Sequence, residues 1–167
     1  MSQSSLFQKY CIDACAILDF WDTRPKTRPY HVKVNTFRTI WNHITLKVEN
    51  GSIIIPKIVA DEISSDEDEF KELNEWIDHH KKVFIDHNHC ITELQKIVTK
   101  YPIYTTNKGS LADAIVVAIA MSCNLVVITS ENYSTQHSPV KPKIPNVCED
   151  FSVEWLHLPE FFKEEGL

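Results

Sequence analysis

Glycine is scarce in this sequence: among its 167 residues, only Gly51, Gly109 and Gly166 are glycines. A P-loop or a dinucleotide-binding loop needs several glycines close together, because the backbone has to approach the phosphate groups closely. The three glycines lie far apart in the chain. The sequence therefore excludes both of these nucleotide-binding loops.

Long apolar runs and a secretory signal are also missing. No uninterrupted apolar segment reaches the roughly 18 residues that span a bilayer, and Met1 to Ser5 lack the basic region and apolar stretch of a signal peptide. The five cysteines are odd in number and scattered among apolar neighbours, as is typical of reduced thiols in a cytosol. We expect a soluble, cytoplasmic protein with no membrane association.

The chain has no excess of positive charge. With 17 Lys and Arg against 23 Asp and Glu, its formal net charge is -6, which argues against binding nucleic acid by bulk electrostatics alone. A nuclease is compatible with this charge, because bound metal offsets an acidic site and local basic groups can contact phosphates. Three basic groups are present, and solvated side chains are the alternative for each: Arg24 to Arg28, Lys81 with Lys82, and Lys141 to Lys143.

Length and hydrophobic periodicity predict the fold. The chain suits one domain over residues 1–167, because this length can bury a core but is short for two domains. Buried strands alternating with amphipathic helices predict a central, mainly parallel sheet of four or five strands with helices on both faces. The predicted strands are 8–13, 52–55, 125–129 and 153–158, with a short extended piece at 83–85. Helices are predicted at 14–21, 34–48, 56–63 and 111–123, twice within 64–100 and at the C-terminus, and loops at 22–31, 101–110 and 132–145.

Four acidic residues stand where a predicted strand gives way to a helix or loop. Asp13 ends the first strand, Glu62 lies in the helix after the second, Asp113 begins the 111–123 helix, and Glu131 follows the third strand. The carboxyl ends of parallel strands form the ligand crevice of an open sheet, so the four carboxyl groups are expected within about 10 Å of one another. Clustered carboxylates repel unless a cation compensates them, which predicts a divalent metal site.

Each acid taken alone has an ordinary alternative explanation. Asp113 and Asp13 are compatible with helix capping, and Glu62 and Glu131 with solvated surface positions. The four together favour the metal site, because Asp13 and Asp113 lie in apolar surroundings, where an unpaired charge costs several kcal/mol.

The segments around these acids resemble a PIN domain. The resemblance rests on their order and spacing and covers nearly the whole chain; Lys143 to Cys148 is similar to a prokaryotic PIN-like subfamily related to VapC-type toxins. It implies a three-layer α/β/α fold and Mg²⁺- or Mn²⁺-dependent cleavage of RNA. The segments that carry it are Tyr10 to Leu18, Ile55 to Ile63, Leu111 to Ala120 and Val127 to Glu131.

The resemblance also implies roles for individual residues. The catalytic and metal-binding acids fall on Asp13, Glu62, Asp113 and Glu131, with Glu131 standing where Asp is more usual. Asp13 and Asp113 are expected to be the principal ligands, and the other two acids to hold a second metal or its waters.

Four further residues are expected to assist. Thr129 matches the hydroxyl before the fourth acid and is expected to orient a metal-bound water, and an ordinary strand-end threonine is the alternative. Cys15 stands where many PIN domains carry Asn or Ser, and its thiol is a poor ligand for hard cations. Lys143, with Lys141, is expected to contact substrate phosphate, with an exposed loop lysine as the alternative.

The expected function is that of an endoribonuclease, the toxin of a toxin-antitoxin pair. An RNA substrate, an antitoxin protein and a homodimer are the partners that the resemblance implies. The alternative is a non-catalytic PIN-like module that binds protein or RNA, with Cys15 and Glu131 marking lost activity. Helices 34–49 and 68–78 offer apolar faces for such partners, although burial against the protein's own sheet is their default interpretation.

A zinc site is a further alternative. Imidazole and thiolate groups suit Zn²⁺, and His79 with His80 and the segment Asp86 to Cys90 supply them. Their crowded spacing before a helix favours a polar turn instead.

Overall fold

A computed structural model describes residues 9–23, 31–64, 70–106 and 110–167 of this protein. The predictions made for the segments Met1 to Ser5 and Arg24 to Arg28 fall outside these ranges.

The described chain builds one parallel sheet. Its strands run in the order β2-β1-β3-β4, and each neighbouring pair is parallel. This confirms the predicted α/β fold with a mainly parallel central sheet flanked by helices. The strands are β1 (Tyr10–Ile12), β2 (Ile53–Ile54), β3 (Val126–Thr129) and β4 (Trp155–His157).

The expected fifth strand is reduced to a single bridge. Pro56 pairs with Ile85 in parallel, and the Ile85 N–H donates to the carbonyl of Ile55 at 3.0 Å. Pro56 has no N–H to donate, which limits pairing at this point. The extended piece predicted at 83–85 therefore contributes only one residue beside the end of β2.

The helices largely follow the predicted pattern. The first begins at Ala14 as expected, and the second begins at His31, inside the region predicted as a loop. Gly51 follows the second helix with φ of 77°, a left-handed conformation that glycine adopts without strain. The helices are α1 (Ala14–Asp22), α2 (His31–Glu49), α3 (Lys57–Ser64), α4 (Lys71–His80), α5 (Ile91–Lys100), α6 (Leu111–Cys123), α7 (Ile144–Asp150) and α8 (Leu158–Glu164).

Two predicted loops contain helical structure. Pro102–Thr105 forms a 3₁₀ turn, and α7 begins at Ile144, so the prediction of loop through 145 was wrong at its end. Pro102 and Pro145 each lie in a first turn, where the missing N–H of proline costs nothing. Burial stabilises α7, since Ile144 through Cys148 are all buried. So short a segment shows no clear hydrophobic period, and the sequence pattern therefore did not reveal a helix that tertiary packing stabilises.

Helix α6 forms the centre of the core. Residues from Ala114 to Ala120 are buried all round the helix, which packs against α5, α7 and β1. The apolar faces of α2 and α4 also turn inwards, with Ile44, Val48, Leu73 and Ile77 buried, as the default interpretation predicted. Within the described part of the chain, no helix is both long and apolar enough to span a membrane.

The strand order places a crevice at the carboxyl ends of β1 and β3. The chain leaves β1 towards β2 on one side, and β3 and β4 then lie on the other side of β1. Such a reversal is the position where open α/β sheets bind ligands. Asp13 follows β1 directly, and Glu131 comes after β3 with only Ser130 between.

Candidate active site

Asp13 is the most deeply buried of the four acids. Its side chain is 3% exposed, and its N–H continues the sheet by donating to the carbonyl of Ile128 at 3.0 Å. It occupies the N-cap position of α1, but its carboxylate makes no capping bond to the helix. The carboxylate is therefore available to other groups at the end of the sheet.

Two side chains donate hydrogen bonds to the same oxygen of Asp13. The Thr129 hydroxyl donates to Oδ2 at 3.2 Å, and the Cys15 thiol donates to the same atom. Burial raises the pKa of Asp13 to about 6; the bonds from Cys15 and Thr129 oppose this rise, and the negative charge of Glu131 adds to it. The carboxylate is held in place but only partly compensated.

Cys15 acts as a neutral donor in this arrangement. Burial, followed by the charge of Asp13, raises the pKa of Cys15 to about 12, so the thiol stays protonated at neutral pH. Its sulfur accepts the Ser130 N–H at 3.3 Å. A protonated thiol does not compete as a metal ligand, and it can orient Asp13 as a serine hydroxyl would.

Cys15→Ala should raise the pKa of Asp13 further, by up to about 1, because one donor to its charged form is lost. Cys15→Ser retains a donor and should leave this pKa nearly unchanged. NMR titration of the Asp13 carboxyl carbon would measure both, with Cys123→Ala, at an exposed free cysteine, as the control. An unchanged Asp13 titration in Cys15→Ala would refute the role given to the thiol.

Asp113 lies in the first turn of α6 and interacts with all three other acids. Burial raises its pKa most, and the charges of Asp13, Glu131 and Glu62 raise it further, to about 8; a hydrogen bond with the Ser110 side chain lowers it. The four acids predicted from sequence therefore share one electrostatic environment. Their spacing within about 10 Å stays a prediction.

Glu62 reaches this environment from α3. Its side chain is exposed, and the Ser110 hydroxyl donates to its Oε1 at 2.9 Å. Ser110 is the N-cap residue of α6 but makes no side-chain capping bond there. It instead links α3 to α6, a contact between residues 48 apart in the chain that no local sequence pattern signals.

Glu131 is tied to the start of α7. Lys143 Nζ lies 2.8 Å from its Oε1, and the Ile144 N–H donates to its Oε2 at 2.7 Å. The bond to Glu131 raises the pKa of Lys143. Lys143 was expected to serve substrate phosphate, and here it pairs with the fourth acid, because α7 brings it there. Lys141 lies exposed in the loop before it.

Thr129 connects the first and fourth acids. Its fully buried hydroxyl accepts the Glu131 N–H at 3.1 Å and donates its one hydrogen to Asp13. The hydroxyl thus holds Asp13 in this structure, and the orientation of a metal-bound water by its oxygen stays a prediction.

The described residues contain no ready-made metal site. Among the His, Cys, Asp and Glu side chains of residues 9–23, 31–64, 70–106 and 110–167, no three lie close enough together to hold a metal ion as they stand. The donor set nevertheless suits a hard cation, since it consists of carboxylate oxygens, and their repulsion adds to burial in raising the pKa of Asp113. The chemistry of the acids fits Mg²⁺ or Mn²⁺, and a bound ion would have to draw them together.

The segment Asp86 to Cys90 forms a polar turn. Asp86 Oδ1 accepts the Asn88 N–H at 3.1 Å, which caps a 3₁₀ turn at His87–Cys90. Cys90 is buried, and its thiol donates to the carbonyl of His87 at 3.2 Å. These contacts satisfy the turn internally, in agreement with the interpretation preferred over zinc.

A comparison with protein families assigns this chain to a family. A family described as "Domain of unknown function (DUF4411)" matches residues 10–167, which include all four acids. The chain belongs to the DUF4411 family. A comparison with curated proteins finds no match.

A solved structure shows the fold of this DUF4411 chain in another protein. The chain is similar to one in the DNA-bound VapBC structure from Salmonella typhimurium, with 17% sequence identity and a TM-score of 0.50. The match covers 90% of this chain and 98% of the other. At this identity the likeness concerns the fold alone, and it agrees with the PIN-like fold expected from the sequence.

Proposed function

We propose that this protein is a metal-dependent endoribonuclease of PIN type. The observation that carries the proposal is the electrostatic interaction of four acids: burial most, and then the charges of Asp13, Glu131 and Glu62, raise the pKa of Asp113. Carboxyl groups with strongly perturbed pKa values in one crevice are candidates for catalysis. The PIN-like fold supports this class of chemistry over others.

Mg²⁺ or Mn²⁺ is the cofactor that the donor set favours. When bound, such an ion makes an attacking water more acidic and offsets charge on the scissile phosphate. Asp13 and Asp113 are the proposed principal ligands, because burial raises the pKa values of both, and Glu62 and Glu131 complete the site. Thr129 and Cys15 hold Asp13 in the orientation that ligation requires.

The direct test is an RNA cleavage assay with purified protein. Single-stranded or structured RNA should be cleaved with Mn²⁺ or Mg²⁺, and EDTA should stop the reaction. Cleavage that continues in EDTA at the same rate would point to a contaminating or metal-independent nuclease.

Lys143 and Lys141 are the proposed contacts for substrate phosphate. Lys143 lies at the edge of the acidic site through its bond to Glu131, so a phosphate near the acids would compete for its ammonium group. Lys141, two residues earlier, is exposed and offers a second positive charge.

Lys143→Ala should weaken RNA binding and reduce the slope of log affinity against log salt concentration by about 1, the value for one lost phosphate contact. Its Mn²⁺ affinity should not fall, because the variant removes a positive charge beside Glu131. Fluorescence anisotropy at several salt concentrations and calorimetric Mn²⁺ titration would measure these effects. Lys96→Ala, on the exposed side of α5, is the matched control, and equal RNA affinities for the two variants would contradict the phosphate role.

A toxin role with an antitoxin partner is the physiological setting that we propose. The fold likeness to a chain of the VapBC structure supports it, as does the sequence resemblance to VapC-type toxins. Expression of the protein alone should arrest growth, and co-expression of the neighbouring gene's product should relieve the arrest. Analytical ultracentrifugation would show whether the protein dimerises.

A non-catalytic PIN-like binding module is the second candidate. It is favoured by the bonds of both Glu131 oxygens, to the Lys143 ammonium group and to the Ile144 N–H, which pair the fourth acid without a metal ion. A wild-type protein that binds a protein partner tightly but neither binds Mn²⁺ nor cleaves RNA would favour this candidate over the nuclease.

A further inference from the structure

Tyr104 carries a buried hydroxyl group with no hydrogen-bond partner. The residue lies in the 3₁₀ turn between α5 and α6, and it is 3% exposed. Within the described part of the chain, no group bonds to its hydroxyl oxygen, which is itself buried. Buried polar groups in folded proteins are nearly always paired with protein or ordered water, so we expect this hydroxyl to pair with a water molecule.

The hydroxyl lies beside the acidic site. After burial, the charges of Asp113 and Glu131 are the largest causes that raise the pKa of Tyr104, so its O–H remains a donor at neutral pH. Helix α6, which carries Asp113 in its first turn, packs against the 3₁₀ turn that carries Tyr104. The tyrosine is thus close to two acids without bonding directly to either.

Of these two acids, Asp113 has the larger charge effect on Tyr104. Both Glu131 oxygens already accept bonds, from Lys143 and from the Ile144 N–H. Asp113 has a side-chain bond with Ser110 and remains only partly buried. One water molecule can accept a bond from a tyrosine O–H while it donates to a carboxylate, and buried waters typically make about three such bonds.

We propose that Tyr104 is a positioning residue of the acidic site, whose O–H binds a water molecule that in turn donates to the Asp113 carboxylate. This inference rests on the proposed nuclease function, because it assigns Asp113 the orientation needed to hold a divalent cation. Partners that hydrogen-bond a ligating carboxylate tune metal affinity, and their loss typically lowers it about 10- to 100-fold. Tyr104 would act through this water rather than touch the substrate.

The variant Tyr104→Phe removes only the oxygen and keeps the ring in the core. Its Mn²⁺ affinity, measured by calorimetric titration of the full chain, should fall about 10-fold relative to wild type. Its melting temperature without metal should stay within a few degrees of the wild-type value, because the lost hydroxyl bonds no group among the residues that the structure describes. A crystal structure of the metal-free wild type should show the water between the Tyr104 hydroxyl and Asp113.

Tyr101→Phe is the matched control. The Tyr101 ring lies 6.1 Å from that of Tyr104, but its hydroxyl is already bonded to Asp150 and His137. This variant should lose stability and keep its Mn²⁺ affinity. The two tyrosines therefore separate a positioning role from a merely structural one.

The outcomes distinguish this inference from the proposed function. Equal Mn²⁺ affinities of wild type and Tyr104→Phe would overturn the role of Tyr104 and leave the nuclease intact, as would a metal-free structure without the bridging water. Wild type that binds no Mn²⁺ would overturn the nuclease, and with it this inference. A 10-fold loss of Mn²⁺ affinity in Tyr104→Phe but not in Tyr101→Phe would support both the role of Tyr104 and the nuclease function.

Discussion

Asp13→Asn should reduce Mn²⁺-dependent RNA cleavage by more than about 100-fold, because loss of a direct ligand exceeds the 10- to 100-fold effect of losing a group that merely supports one. Asparagine keeps the size of the side chain and an oxygen that can accept from Thr129 and Cys15. The variant therefore removes the negative charge while the fold around it is retained. Initial cleavage rates at saturating Mn²⁺, together with calorimetric Mn²⁺ titration, would measure the effect.

The control for this experiment is Asp78→Asn. Asp78 lies on the exposed side of α4, so the same chemical change there should alter neither cleavage nor metal affinity. Circular dichroism and melting temperatures would verify that Asp13→Asn remains folded. A folded Asp13→Asn protein that cleaves RNA at the wild-type rate would reject the proposed mechanism.

Asp113→Asn should stabilise the metal-free protein near pH 8. The pKa of Asp113 is raised from 3.8 to about 8 in the folded chain, so between these pH values the folded state binds more protons than the unfolded state. The free energy of unfolding therefore falls as pH rises through this window, by the linkage of proton binding to stability. Asparagine does not titrate, and the variant avoids this loss.

The gain in the free energy of unfolding of Asp113→Asn over wild type should be small at pH 4 and largest at pH 8 and above. Since Asp113 is only partly buried, we expect a difference of about 1–2 kcal/mol, or a melting temperature higher by roughly 2–8 °C for a chain of this length. The lowered pKa values of Asp150 and Glu165 make their contributions disappear at acid pH, in the opposite direction. These two contributions are the same in wild type and in Asp113→Asn, so they cancel when the two proteins are compared.

With Mn²⁺ bound, wild type should become more stable than Asp113→Asn. A ligand that binds only the folded state at 100 times its Kd stabilises it by about 2.7 kcal/mol, and Asp113→Asn should lose most of this gain from Mn²⁺. Thermal melts at pH 5 and pH 8, with and without Mn²⁺, would measure both effects, with Asp78→Asn again as the control. A pH-independent difference between wild type and Asp113→Asn would contradict the raised pKa of this acid.

Much of this architecture could be predicted from the sequence alone. The apolar runs at β1 and β3 and the apolar period of α6 specify buried elements, and their alternation specifies a parallel sheet. The carboxyl ends of parallel strands lie at one edge, so the positions of Asp13 and Glu131 after two of them predicted that both would lie at that edge. Local chemistry and topology were sufficient for these conclusions.

The partners of the acids were decided only by the tertiary structure. Helix α7 is too short to show a hydrophobic period in the sequence. Its burial nevertheless brings Lys143 and the Ile144 N–H to Glu131. The 3₁₀ turn likewise buries Tyr104 beside Asp113, although the sequence there predicts only a loop. Hydrogen bonds and charge pairs depend on the distances between atoms that are remote in the chain, and packing of the whole core sets those distances.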